Sequence, residues 1–154
     1  MIPTTVDRVP RHTAENVNEQ IRQTTEENVA HYAAEGNEAI EDRLHELDRE
    51  WDIERTLEAN AATVALLGLG LGAFVHRRFF ALPAVVAGFL LQHAVQGWCP
   101  PIPIFRRLGF RTQPEIEQER YALKALRGDF QHLSYPSGQN GDSRTARVMS
   151  AVRR

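Results

Sequence analysis

This chain has one cysteine, one lysine and, over two long stretches, no charged residue at all. A lone cysteine, Cys99, excludes an intramolecular disulfide and the disulfide framework of a small exported domain. Cys99 and the nearby His93 supply two ligands where zinc needs three or four, so no metal site is expected. Nucleophile triads, paired-carboxylate sites, phosphate-binding glycine loops and nucleic-acid motifs are all missing, so neither catalytic residues nor a cofactor are expected. Residues 1–5 lack a basic segment leading into an apolar one, and no cleaved signal peptide is expected. Seventeen of the eighteen basic residues are Arg, a bias that fits a GC-rich, bacterial-type genome.

The missing charge defines the fold class. Residues 59–75 hold no charged side chain, and residues 79–97 hold none beyond His93. His76, Arg77 and Arg78 separate the two runs. Runs of this length read as two membrane-spanning helices joined by a tight turn. The first run is short: its seventeen residues reach about 25 Å as a helix, against a hydrocarbon core near 30 Å, and Ile53 and Leu57 are positioned to extend it. A soluble hairpin buried in a larger core is the alternative. The long flanks are too polar to cover it, and they pull the mean hydropathy to −0.40. The expected fold is an all-α membrane protein, a two-helix hairpin with amphipathic helices on either side. The first span serves as its own insertion signal. Six arginines flank the spans on the side of both termini (Arg43, Arg49, Arg55, Arg106, Arg107, Arg111) against Arg77 and Arg78 in the turn, which favours cytoplasmic termini.

The net charge of −2 hides a polarised chain. Residues 13–58 carry fourteen acidic side chains against four Arg, whereas residues 76–154 carry twelve basic against five acidic. These flanks can attract each other or those of a second copy. Residues 1–12, with two prolines, are expected to be a flexible lead. Residues 13–58 are expected to form a long acidic helix, capped at Thr13 or Asn16 and weakened at Gly36, with Val29, Ile40 and Trp51 on one face. A stripe that narrow needs a partner helix. An acidic face does not suit anionic lipid, so helix–helix association is preferred.

The second span stops at Gly97, Trp98, Cys99 and three prolines in the next four positions. Residues 98–111 then alternate apolar groups with Arg106, Arg107 and Arg111, an expected interfacial elbow whose guanidinium groups meet lipid headgroups. Thr112 and Glu115 have capping-box spacing, opening an amphipathic helix over 112–133 with Ile116, Leu123, Leu126, Phe130 and Leu133 as its stripe. Residues 134–154 are expected to be a disordered basic tail.

Two sets of residues are candidates for function. Small residues lie along both spans: Ala61, Ala65, Gly68 and Gly72 in the first, Ala81, Ala84 and Gly88 in the second. Lipid gives no hydrophobic drive to helix association, so close approach through small residues is the usual means, within the hairpin or between copies. The other set is Gln92, His93, Gln96 and Cys99 near the end of the second span, where polar groups must be paired or wet. Interhelical hydrogen bonding is the simpler reading for the three polar residues, and packing in the turn the simpler one for Cys99.

An Arg leading into a span, a short turn, a second span, then Gly-x-Cys-Pro and Leu-Gly-x-x-Thr, is a specific pattern. Here the positions are Arg55, Gly97, Cys99, Pro100, Leu108, Gly109 and Thr112. Over residues 50–112 the chain resembles the YgaP-like transmembrane domain family of bacterial inner-membrane proteins. The resemblance implies a two-helix module able to dimerise, fused in some members to a rhodanese domain that handles sulfane sulfur. The expected function is a small non-enzymatic inner-membrane protein, an oligomeric scaffold or the membrane anchor of a protein partner, with lipid and a second copy as partners and no nucleic acid. The alternative is sulfur handling, through persulfide on Cys99 or a path for a small sulfur anion.

Overall fold

The computed structural model describes residue 4, residues 6–131 and residues 148–149. Among them there is no strand. Six helices follow in order: α1 Glu15–Glu35, α2 Asn37–Leu47, α3 Ile53–Phe74, α4 Ala81–Gln96, α5 Ile102–Arg107 and α6 Gln113–Arg127. Single 3-10 turns precede α1 (Pro10–His12) and join α3 to α4 (Arg77–Phe80).

The acidic segment is not one helix: it forms α1, α2 and the first residues of α3. Gly36, at φ 103°, breaks it, and α1 and α2 pack against one another and against α6. The α1 stripe repeats every three or four residues through Val17, Ile21 and Thr25 to the partly covered Val29 and Tyr32. Ile40, Leu44 and Leu47 of α2 meet Ile116 and Leu123 of α6. Burying a side chain of that kind is worth about 2 kcal/mol, so this cluster supplies the partner surface a narrow stripe needs. Neither expected cap is used: Ala14 precedes α1 without a side-chain bond, and Thr13 is buried beneath the lead. Trp51 leaves the shared face because the break and the loop after Leu47 change the helical phase; it is exposed.

At the other end, Asp52 caps α3 by accepting the Arg55 N–H at 2.7 Å. The helix therefore begins six residues before the charge-free run and reaches about 33 Å over its 22 residues. Helices α3 and α4 form a hairpin, and α3 (Ile53–Phe74) and α4 with the turn before it (Arg77–Gln96) are long and apolar enough to cross a membrane. The first turns of α3 are anchored below it, with Ile53 and Leu57 in a second core beside Val9, Cys99 and Ile102.

Two segment expectations need correction. The lead is not loose where it is described: Val9 is buried in the second core and Arg8 is bonded to α3 and α4. Helix α6 ends at Arg127 rather than near residue 133, because Gly128 takes a left-handed conformation (φ 91°) that closes the helix and other residues avoid. Leu126, placed on the expected stripe, points outward, 57% exposed. The disordered-tail expectation for 134–154 lies outside the described residues, apart from 148–149.

Candidate functional site

The base of the hairpin is where the chain concentrates its buried polar chemistry. Gly97 ends α4 at φ 78°, with its N–H on the His93 carbonyl at 2.7 Å. A Cβ there would lie 2.5 Å from Arg8 Cβ and 2.6 Å from the Arg8 carbonyl oxygen, so both the conformation and the closeness of the lead require glycine. The lead crosses the end of α4 and brings side-chain nitrogens to its last carbonyls: Arg8 donates to the Ala94 carbonyl at 3.3 Å, and His12 Nε2 lies 3.1 Å from the Gln96 carbonyl oxygen.

Beneath this strap, Glu54 of α3 joins the three segments. One carboxylate oxygen accepts from Arg8 at 2.8 Å; the other is 2.6 Å from His93 Nε2. A buried imidazole needs such a partner. Two buried nitrogens, Arg8 Nε and His93 Nδ1, have no hydrogen-bond partner among the described residues. Of Gln92, His93 and Gln96, it is His93 that is drawn into the protein. Glu54, 39 residues before His93, and Arg8, which pairs with Glu54 across 46 residues, are the groups that sequence spacing did not single out.

Cys99 is 6% exposed, packed with Val9, Ile53, Leu57 and Ile102. Burial pushes its thiol above the ordinary value, which lowers the fraction of reactive thiolate. Together with His93, Asn60 and a wall of apolar side chains from α3 and α4, it lines an open groove of about 250 Å³. Among the described residues no three His, Cys, Asp or Glu side chains are grouped to hold a metal ion.

The elbow arginines do not form one set. Arg106 has a fully buried side chain and uses all five N–H groups: a bidentate pair with Glu115 at 2.6 and 2.7 Å, and bonds to Thr13 Oγ1, the Phe110 carbonyl and Asn18 Oδ1. Arg111 is bidentate to Glu50, at 2.7 and 2.8 Å, and also donates to Glu119. Glu119, itself fully buried, accepts from Arg43 as well, at 2.8 Å. Arg106 and Arg111 are therefore internal ion-pair residues and not headgroup ligands; Arg107 alone of the three is exposed. The physical reason is cost: a guanidinium that deep must be matched by carboxylates. Burial by itself would raise the Glu119 and Glu115 carboxyls, but the hydrogen bonds from Arg43, Arg111 and Arg106 hold both below the usual glutamate range. Glu119 was legible in one respect, as a charge between Ile116 and Leu123 on the apolar stripe.

The small residues of the two spans are used differently. A Cβ on Gly68 would meet Pro83 Cδ at 2.7 Å, and one on Gly72 would meet the Phe80 ring at 2.7 Å. Gly68 and Gly72 are buried inside the hairpin, with Ala61 and Ala65 partly covered on the same side. Ala81, Ala84 and Gly88 are exposed on α4, and a Cβ on Gly88 would meet nothing within 4 Å. Comparison with protein-family models, with curated proteins and with solved structures finds no match to this chain.

Proposed function

We propose that this chain is a non-enzymatic membrane scaffold. In this reading α3 and α4 cross the bilayer of a bacterial inner membrane as a hairpin. Helices α1, α2 and α6 form a closed bundle on the cytoplasmic face, available to a protein partner. One observation carries it. Only 17% of the apolar stretch of α3 and 6% of that of Arg77–Gln96 are buried, and Leu66, Leu67, Phe74 and Leu91 are 60–91% exposed. An apolar surface of this continuity is unstable in water and natural in lipid. The outward face of α4, with Ala81, Ala84 and Gly88 spaced for close helix approach, is where a second copy would pack. The resemblance to the YgaP-like family points the same way, and the proposal does not depend on it.

Membrane fractionation tests the reading. The protein is expected to stay with membranes through an alkaline carbonate wash and to be released by detergent. Release by the wash alone, as a monodisperse soluble species, would overturn it. Sulfur handling has less support, since Cys99 is packed in an apolar cluster with its thiol raised by burial.

A further inference from the structure

A second exposed apolar surface lies beside the base of the hairpin. Helix α5 buries Ile102 and Arg106 on one side and leaves Ile104 (60% exposed) and Leu108 (69%), four residues apart, uncovered on another. Trp51, 46% exposed, lines a shallow hollow with Leu108, Gly109 and Phe110. Glu50 edges the same hollow, but its carboxylate is held by Arg111. This surface adjoins the hairpin: the Arg111 carbonyl accepts the Ile53 N–H at 2.8 Å, fixing the elbow at the first residue of α3. Two arginines border it. The Arg55 guanidinium lies 4.3 Å from the centre of the Trp51 ring, and Arg107 stands exposed on α5 between Ile104 and Leu108. Neither has a carboxylate within ion-pair distance among the described residues, unlike Arg106 and Arg111 beside them.

We infer that Trp51, Ile104 and Leu108 form a seat that sinks into the bilayer interface, with Arg55 and Arg107 on anionic phospholipid headgroups. The inference rests on the membrane reading of the hairpin and adds to it. It names the lipid class and a second point of contact, which fixes how the bundle sits on the surface. An aromatic with a cationic neighbour is suited to the headgroup level, and short aliphatic side chains to the acyl boundary just below. Glu58, one turn above Arg55, makes the charge mixed, so apolar insertion holds the seat and the two guanidinium groups supply the preference for negative lipid.

The test uses full-length protein carrying Trp98→Phe, which leaves Trp51 as its only tryptophan. It is reconstituted into vesicles of phosphatidylcholine, with or without phosphatidylglycerol, containing lipids brominated near the top of the acyl chain. Flotation and tryptophan quenching are read on the same sample. The expected result is flotation in both lipids, quenching of Trp51 that is stronger with phosphatidylglycerol, and at least a twofold loss of quenching in Ile104→Gln/Leu108→Gln, which still floats. Flotation without quenching, or quenching that the double variant leaves unchanged, would overturn the seat and spare the membrane reading. Quenching that rises on dilution into excess lipid would also overturn it, by showing that a second copy covers the patch. Failure to float would overturn the membrane reading, and the seat with it.

Discussion

The two halves of the molecule solve opposite problems with similar helices. In the bundle of α1, α2 and α6 the apolar residues face inward, charges are matched in pairs, and Ile40, Leu47, Ile116 and Leu123 are almost wholly covered. In the hairpin of α3 and α4, Gly68 and Gly72 face inward and large apolar side chains such as Leu66, Leu67, Phe74 and Leu91 face out. Water rewards the first arrangement through the hydrophobic effect. The second draws nothing from it; such a pair is held by close backbone approach and van der Waals contact. The difference teaches where each half should be vulnerable: the bundle to loss of charge pairing, the hairpin to added bulk.

Acid should separate the halves most sharply. Glu115 and Glu119 have carboxyls lowered in the folded protein, so the folded state binds fewer protons than the unfolded one. Their stabilisation is complete above the ordinary glutamate value of 4.5 and is lost as pH falls through the lower folded values. Circular dichroism in detergent across that window is expected to show bundle helicity lost while the hairpin, which lacks these pairs, stays helical. A single transition with both halves lost together would break the comparison.

Removing one carboxylate at neutral pH is the next largest change. Glu119→Ala takes one carboxylate from the half-buried Arg43, which keeps Glu46, and from the buried Arg111, which keeps Glu50. Losing two hydrogen bonds between charged groups costs about 3 kcal/mol, read as a lowered denaturation midpoint of the bundle. A shift under about 1 kcal/mol would mean that water reaches the pair and that it behaves like a surface bridge.

Much of this division was legible from the chain alone, and for a physical reason. Long charge-free runs, a proline stop after Trp98 and a capping box at Thr112 are local signals, and each marks an element that is present. The pairing of the acidic and basic flanks was readable as an attraction, but not as a network within one chain, because an arginine's partner is set by tertiary contact. Hence Arg106 and Arg111 look like headgroup ligands in sequence and are core residues in the structure. The same applies to Glu54: nothing near it in the chain announces His93. The lead was misread because two prolines and short length describe a loose segment equally well as one strapped across a helix end.

Bulk in the hairpin should cost less than a lost buried carboxylate. Gly72→Ile drives a branched side chain into the Phe80 ring, and overpacking of this kind costs about 1–3 kcal/mol. Thermal unfolding in detergent is expected to shift down for the hairpin. Gly88→Ile, on the open face of α4, is expected to leave that melting unchanged and to lower the mass measured by light scattering if a second copy packs there. An unchanged mass would remove the dimer from the proposal without touching the hairpin.

The smallest effect is expected at Cys99, where the scaffold and sulfur readings part. Its side chain fills a place in the core shared with Val9 and Ile53, so Cys99→Ala removes a buried sulfur and leaves a small cavity. The loss should be about 1 kcal/mol, typical of a modest core truncation. Expression, mass in detergent and partner binding should persist. A thiol raised by burial has little thiolate at neutral pH, so exposure to a sulfane-sulfur donor should leave Cys99 without persulfide by mass spectrometry. Reversible persulfidation in the folded protein would show that the donor reaches Cys99 through the groove it lines between α3 and α4. That access would move the chain from the scaffold reading to the sulfur one.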